Sequence, residues 1–132
     1  MRLSPLIFAA LANTAYAQVP TRTVLASTPI GPAKLVARVD TTRVDFAPGQ
    51  TMPAHMHPVP VLCFVAKGDF KVRIGDAPER PAPFGSVTYE PAGVVVHYFT
   101  NASATAPAQL NCAVLAGAED KVTSVMLDHP AP

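Results

Sequence analysis

The stretch that decides the fold is Pro53-Ala54-His55-Met56-His57. Its two histidines are separated by one residue and precede a run rich in β-forming residues, Val59 to Val65. On a strand, side chains at i and i+2 point to the same face, with their Cα atoms about 6.5–7 Å apart. At that spacing two imidazoles can bind one metal ion, each at about 2 Å. We therefore interpret His55 and His57 as candidate metal ligands, with a pair of ordinary core histidines as the alternative.

The rest of the chain has the composition of a small all-β protein. It has 132 residues, of which 49% are hydrophobic and 14% charged, and its fifteen prolines and seven glycines are scattered along it. Such spacing suits short strands joined by turns and leaves little room for helices. The strands that we predict lie at 23–26 (an edge strand), 35–46, 59–64, 70–74, 86–90, 94–100, 110–115 and 122–127, with a loop at 76–85. This pattern indicates one domain built as a double-sheet roll or barrel.

The N-terminus has the pattern of a secretory signal peptide. Arg2 supplies a positive charge, residues 3–12 are mostly apolar, and Ala15-Tyr16-Ala17 is a small-x-small cleavage site. We expect residues 1–17 to be removed and residues 18–132 to form the mature domain, in the periplasm or outside the cell. The apolar run is shorter than the roughly 20 residues that span a bilayer, so no membrane anchor is expected after cleavage.

Charge and cysteine content limit the function further. A formal net charge of +1 without a basic stripe gives no nucleic-acid footprint. The mature chain keeps two cysteines, Cys63 and Cys112. In an oxidising compartment such a pair often forms a disulfide, but both residues lie in apolar runs where free thiols are also buried. The sequence leaves both alternatives open.

Two spaced motifs resemble those of the cupin superfamily. The first reads Gly49, five residues, His55-Met56-His57, three residues, Val61, six residues, Gly68; the family has glutamate where Val61 stands. The second reads Gly85, five residues, Pro91-Ala92-Gly93, three residues, His97, three residues, Asn101. The resemblance covers residues 49–101 and implies an all-β, cupin-type double-stranded β-helix, or jelly-roll barrel, of the kind that commonly forms homodimers.

The resemblance also implies a divalent transition metal, namely iron, zinc, nickel, copper or manganese. Its usual ligands are three histidines and a glutamate, which leaves His55, His57 and His97 here because Val61 cannot ligate. The second motif has one residue more than the family pattern before His97. One extra residue reverses the side-chain direction on a strand unless a bulge absorbs it. A cupin without its glutamate can also have lost its metal.

Other residues near the motifs are candidates for the cavity. The alternation that points His55 and His57 inward also points Val61 and Cys63 inward. One carboxylate, Glu90, lies next to Pro91 of the second motif. We expect Glu90 either to accept a hydrogen bond from a ligand histidine or to be an exposed turn residue. The further candidate lining residues are Tyr89, Tyr98 and Phe99.

These features predict an exported, metal-dependent, dioxygenase-like enzyme that acts on a small organic molecule. A metal-assisted isomerase or lyase is a second hypothesis. A third is a non-catalytic module that binds a small ligand or a metal, because neither motif carries an inward arginine or lysine to anchor a substrate.

Overall fold

The structure, a computed structural model, describes residues 21–31 and 35–127, and these residues form ten strands and no helix. The predicted signal peptide, residues 1–17, and the predicted mature terminus at Gln18 lie outside the described residues. Within the described part of the chain no helix is long and apolar enough to cross a membrane. The strands are β1 Arg38–Phe46, β2 Thr51–Met52, β3 His55–Met56, β4 Val61–Lys67, β5 Phe70–Ile74, β6 Arg80–Ala82, β7 Val87–Glu90, β8 Val95–Asn101, β9 Ala108–Ala116 and β10 Val125–Met126.

The strands form two antiparallel sheets. The first has the order β1-β9-β4-β7, and the second has the order β10-β3-β8-β5-β6, with β2 also paired to β8. One hydrophobic cluster joins residues of both sheets, including Phe46 and Leu110 from the first and Phe70 and Phe99 from the second. The ring of Phe70 makes edge-to-face contacts with Phe46 and Phe99, at centroid distances of 5.0 and 6.2 Å. The core therefore lies between the sheets. The predicted all-β, cupin-type fold is confirmed, although the two sheets of the described residues are not closed into a barrel.

Alternation predicted the central strands well and the edges poorly. The strand at Phe70–Ile74 matches its prediction, because polar Lys71 and Arg73 alternate with buried Phe70 and Val72. The predicted edge strand at 23–26 is wrong: these residues are not in a strand, and Val24 is 83% exposed. The predicted loop at 76–85 contains the short strand β6, whose Ala82 is fully buried against β5.

Cys63 and Cys112 form a disulfide within the first sheet. They are register partners on the adjacent strands β4 and β9, and their Cα atoms are 4.0 Å apart. Of the two alternatives that the sequence left open, the structure therefore has the bonded pair. Cys63 is consequently not available as a thiolate ligand.

A bulge in β8 absorbs the extra residue of the second motif. Arg73 of β5 pairs with Tyr98 and Ile74 pairs with Val96, so His97 between them has no partner on β5. This bulge keeps Val96, Phe99 and Asn101 buried, although an uninterrupted strand could not point all three inward. His97 is the residue that leaves the inward series.

Candidate metal centre

A cavity of about 310 Å³ lies between the two sheets. Its walls come from β1, β4, β7 and β9 of the first sheet, from β2, β3, β8 and β10 of the second, and from the residues next to β3 and β10. The residues that line it are Thr42, Val44, Phe46, Met52, His55, His57, Val61, Cys63, Glu90, Phe99, Leu110, Cys112, Val114, Thr123, Ser124 and Met126.

The two histidines enter this cavity as the strand parity predicted. His55 belongs to β3 and is buried, and His57 follows β3 and is mostly buried. The same parity continues through Val59, Val61 and Cys63, which are all buried. The imidazole rings meet edge to face, with their centroids 5.1 Å apart. The His-x-His pattern therefore brings both rings to one end of the cavity.

Glu90 supplies a carboxylate at the same place. It is the last residue of β7 and is only 2% exposed. Glu90 is the register partner of Val61, the position at which the cupin pattern has its glutamate. The carboxylate thus comes from the neighbouring strand, directly across from the place where the motif lacks it.

Three acceptor atoms converge at this point. Oε2 of Glu90 lies 3.0 Å from Nε2 of His57 and 3.8 Å from Nε2 of His55. One ligand atom from each of these residues lies within 4.8 Å of the other two. Oε2 has no hydrogen-bond donor among the described residues. A buried carboxylate oxygen in this condition needs a partner, which is either a proton on one of the two Nε2 atoms or a cation.

Backbone carbonyls determine which imidazole nitrogens face the carboxylate. Nδ1 of His55 lies 2.9 Å from the carbonyl oxygen of Pro53, and Nδ1 of His57 lies 2.6 Å from that of Thr123. A carbonyl oxygen can only accept, so each Nδ1 carries the hydrogen and donates it. In the neutral rings both Nε2 atoms then present lone pairs toward Glu90. This is the orientation of histidines that ligate a metal through Nε2.

The charges of the site favour a cation between these atoms. Burial acts to lower the pKa of His57, but the Glu90 carboxylate and the Thr123 carbonyl outweigh it and raise the pKa above its ordinary 6.5. Burial acts to raise the pKa of Glu90, but the two imidazoles outweigh it and lower the pKa below its ordinary 4.5. Either a proton on an imidazole or a metal ion can satisfy the carboxylate, and the two compete for the same lone pairs.

Two imidazoles and one carboxylate fit a divalent transition metal. This donor set is the one that holds iron in non-haem oxygenases with open coordination positions, and zinc in several hydrolytic enzymes. The residues present therefore suit the kind of metal that the sequence predicted, with Glu90 in the place of the third histidine.

The structure places the other candidate residues on both sides of the cavity wall. Val61, Cys63 and Phe99 line the cavity, whereas Tyr89 and Tyr98 do not. The hydroxyl of Tyr98 donates to Oε2 of Glu79, 2.7 Å away, in an exposed contact. His97 is half-buried and belongs neither to the cavity lining nor to the His55–His57–Glu90 group.

Sequence reasoning gave Glu90 a lesser role than its position supports. The missing signal was pairing between strands: Thr88 and Glu90 alternate inward on β7, and β7 lies beside β4. The contribution of Thr123 had no signal at all, because it acts through its backbone carbonyl from 66 residues away.

Comparisons with known proteins agree with this architecture. The chain resembles an oxalate oxidase solved in complex with the substrate analogue glycolate (27% identity over 67% of this chain and 46% of that one, TM-score 0.59). It also resembles a DMSP lyase from Ruegeria pomeroyi (19% identity, 67% and 42%, TM-score 0.56) and an uncharacterised double-stranded β-helix protein from Klebsiella pneumoniae (16% identity, 77% and 90%, TM-score 0.57). The chain spans less than half the length of the first two proteins, and no curated protein matches it. The family model of the cupin domain matches residues 42–114, which is 73 of 132 residues. The chain therefore belongs to the cupin family.

Proposed function

We propose that the protein is a metal-dependent cupin enzyme, dioxygenase-like in its chemistry, that acts on a small organic molecule. The observation that carries the proposal is the convergence of Nε2 of His55, Nε2 of His57 and Oε2 of Glu90 in a buried cavity, with the carboxylate oxygen lacking a donor. His55, His57 and Glu90 would hold the ion. A bound transition metal supplies Lewis acidity and one-electron redox chemistry.

The chain's own groups prepare this site in three ways. The carbonyls of Pro53 and Thr123 hold the imidazole rings in one orientation, which removes the cost of ordering them when a ligand binds. The depressed pKa of Glu90 keeps its carboxylate ionised near neutral pH. The apolar walls formed by residues such as Val61 and Phe99 exclude water, so charges at the site interact more strongly than in solvent.

Two observations favour oxidative chemistry over the other hypotheses. An isomerase or lyase needs a general base beside the metal. Among the described lining residues, the only titratable groups are the three proposed ligands, since Cys63 and Cys112 are bonded. The likeness to oxalate oxidase, at 27% identity, also supports redox use of such a site.

The test is the metal content of the untagged protein and its variants. We expect about one equivalent of transition metal, retained through dialysis, and a loss of most of it in His57→Ala and in Glu90→Gln. His97→Ala is the matched control, because it removes an imidazole outside the cavity and should keep the metal. If the wild-type protein takes up no metal after reconstitution with iron or zinc, the proposal is refuted. If the iron-loaded protein binds metal but none of a panel of small organic molecules stimulates dioxygen uptake, the dioxygenase-like chemistry is refuted.

We further propose that the protein is exported. The signal-peptide pattern supports this, and so does the Cys63–Cys112 disulfide, since such bonds persist mainly in oxidising compartments. Mass spectrometry of the secreted or periplasmic form should give Gln18 as the first residue, and a retained Met1 would contradict the proposal. The homodimer and the absence of nucleic-acid partners stay predictions.

A further inference from the structure

We propose that the substrate or ligand of this cavity is a largely apolar small molecule, with a single polar or anionic group directed to the His55–His57–Glu90 end. The proposal rests on the proposed function, because it assigns a ligand class to the same site. It concerns the walls of the cavity away from the three ligands.

The composition of those walls is the first observation. Of the sixteen lining residues, three are the proposed ligands, two form the disulfide, three are hydroxyl residues and the other eight are aliphatic, aromatic or methionine. Those eight residues can contact a ligand only through dispersion and the exclusion of water. Apolar walls with a few polar groups at one end are the usual design of a site for a compact apolar ligand.

The arrangement of the walls gives the ligand a direction. Val114 is the register partner of Val61, whose other partner is Glu90, so Val114 lies in the row of the metal site. Leu110 lies four residues before Val114 on β9, which corresponds to about 13 Å along an antiparallel strand. Val44 pairs with Leu110, and Phe46 follows on β1. An apolar path therefore runs from the proposed ligands to the main core.

The charges provide the second observation. None of the described lining residues is a lysine or an arginine. Arg38 lies on the same face of β1 as Thr42 and Val44 but does not line the cavity, and its Nε is 3.0 Å from Oδ2 of Asp40. Arg38 also donates to the carbonyl oxygens of Gly117 and Asp120. A second anionic group on a ligand would therefore be buried against apolar walls without a partner, which is strongly unfavourable.

This ligand class differs from oxalate, the compound named for one of the similar structures. A longer dicarboxylate that placed one carboxylate at the metal end would direct the other toward the disulfide and the valine and leucine side chains. The walls of this cavity thus select against dicarboxylates that are long enough to reach them.

The experiment measures binding of straight-chain alkyl hydroxamic acids of increasing length to the zinc-loaded protein by isothermal titration calorimetry. The hydroxamate group provides the polar end, and the alkyl chain probes the walls. We expect the affinity to rise about three- to fourfold per methylene until the chain fills the cavity. A hydroxamic acid of equal length with a terminal carboxylate should lose this gain.

A variant pair tests whether the wall causes the preference. Val44→Lys places a cation in the Leu110 row and should reverse the preference, so that the carboxylated chain binds better than the neutral one. Val39→Lys is the matched control, because Val39 is 52% exposed on the opposite face of the same strand. If Val44→Lys does not fold, Thr42→Lys, at an exposed lining position, tests the same change two residues nearer to the site along β1.

The outcomes separate the two proposals. If zinc binds with about one equivalent but the affinity does not depend on chain length, or the chain with the terminal carboxylate binds best, the ligand class is wrong and the proposed function stands. If zinc does not bind, the proposed function fails and the ligand class fails with it. If the affinity of the zinc-loaded protein rises with chain length, and Val44→Lys reverses the preference between the neutral and the carboxylated chain, both the proposed function and the ligand class are supported.

Discussion

Reduction of the Cys63–Cys112 disulfide should remove a large part of the stability of the protein. The two residues are separated by 49 positions, and in the chain-entropy model a bond that closes a loop of this length stabilises the folded state by about 4 kcal/mol. Small domains have a free energy of unfolding of only about 5–15 kcal/mol, so we expect the reduced protein to be marginal. The bond joins strands β4 and β9 in the wall of the cavity, where Sγ of Cys63 lies 3.3 Å from Oε1 of Glu90.

Urea unfolding of the oxidised and reduced protein at one pH measures this loss. For an m-value of about 2 kcal/mol/M, the midpoint should fall by about 2 M on reduction. Thiol titration of the unfolded, unreduced protein is the control and should find no free thiol. Two free thiols, or a loss of stability below about 1 kcal/mol, would refute the reasoning.

Two further predictions follow from the site and from the turns. In metal-free protein, the raised pKa of His57 gives stability that is present below pH 6.5 and is lost as the pH rises through the folded-state pKa. The lowered pKa of Glu90 gives stability that is present above pH 4.5 and is lost as the pH falls through the folded-state pKa of that group. Urea unfolding of chelator-treated protein should therefore show a greater contribution from this pair to stability at about pH 5.5 than at about pH 8, and Glu90→Gln should abolish that difference. Metal affinity should instead be greater at the higher pH, because protons compete with the ion for the same atoms. Equal pH profiles of stability for the wild-type protein and Glu90→Gln would contradict this. Gly68→Ala should lower the free energy of unfolding by about 3 kcal/mol or more, since Gly68 has φ +70° and an added Cβ would lie 2.8 Å from Cβ of Ala108. Gly49→Ala is the control and should cost about 1 kcal/mol in the same assay, because Gly49 has φ +67° but no atom within 4 Å of an added Cβ. Similar losses at both positions would show that the contact with Ala108 is unimportant.

The sequence predicted the features that depend on local rules, namely the direction of side chains along a strand and the places where strands end. Strict alternation set the inward positions from His55 to Cys63 and the whole of β5, because a one-residue shift would expose the entire hydrophobic set of a strand. Turn residues such as Gly68 fixed where these strands end. The two motifs then indicated the family, and the family indicated an all-β fold of the cupin type.

Features that depend on pairing between distant strands could not be obtained in this way. Glu90 reaches the site because β7 pairs with β4 in a register that no local pattern reports. His97 leaves the inward series because the bulge falls at His97 itself, and the sequence showed only that one residue was extra. The edge strand expected at 23–26 failed because strand propensity there has no partner strand to satisfy its backbone groups.

In the proposed site two imidazoles and one carboxylate, rather than three imidazoles, hold the metal. Pulsed electron paramagnetic resonance of the copper(II)-loaded protein counts coordinated imidazoles directly through their remote Nδ1 atoms. We predict two imidazoles in the wild-type protein, an unchanged spectrum in His97→Ala, and one imidazole in His57→Ala. Three imidazoles in the wild-type protein, falling to two in His97→Ala, would contradict the account.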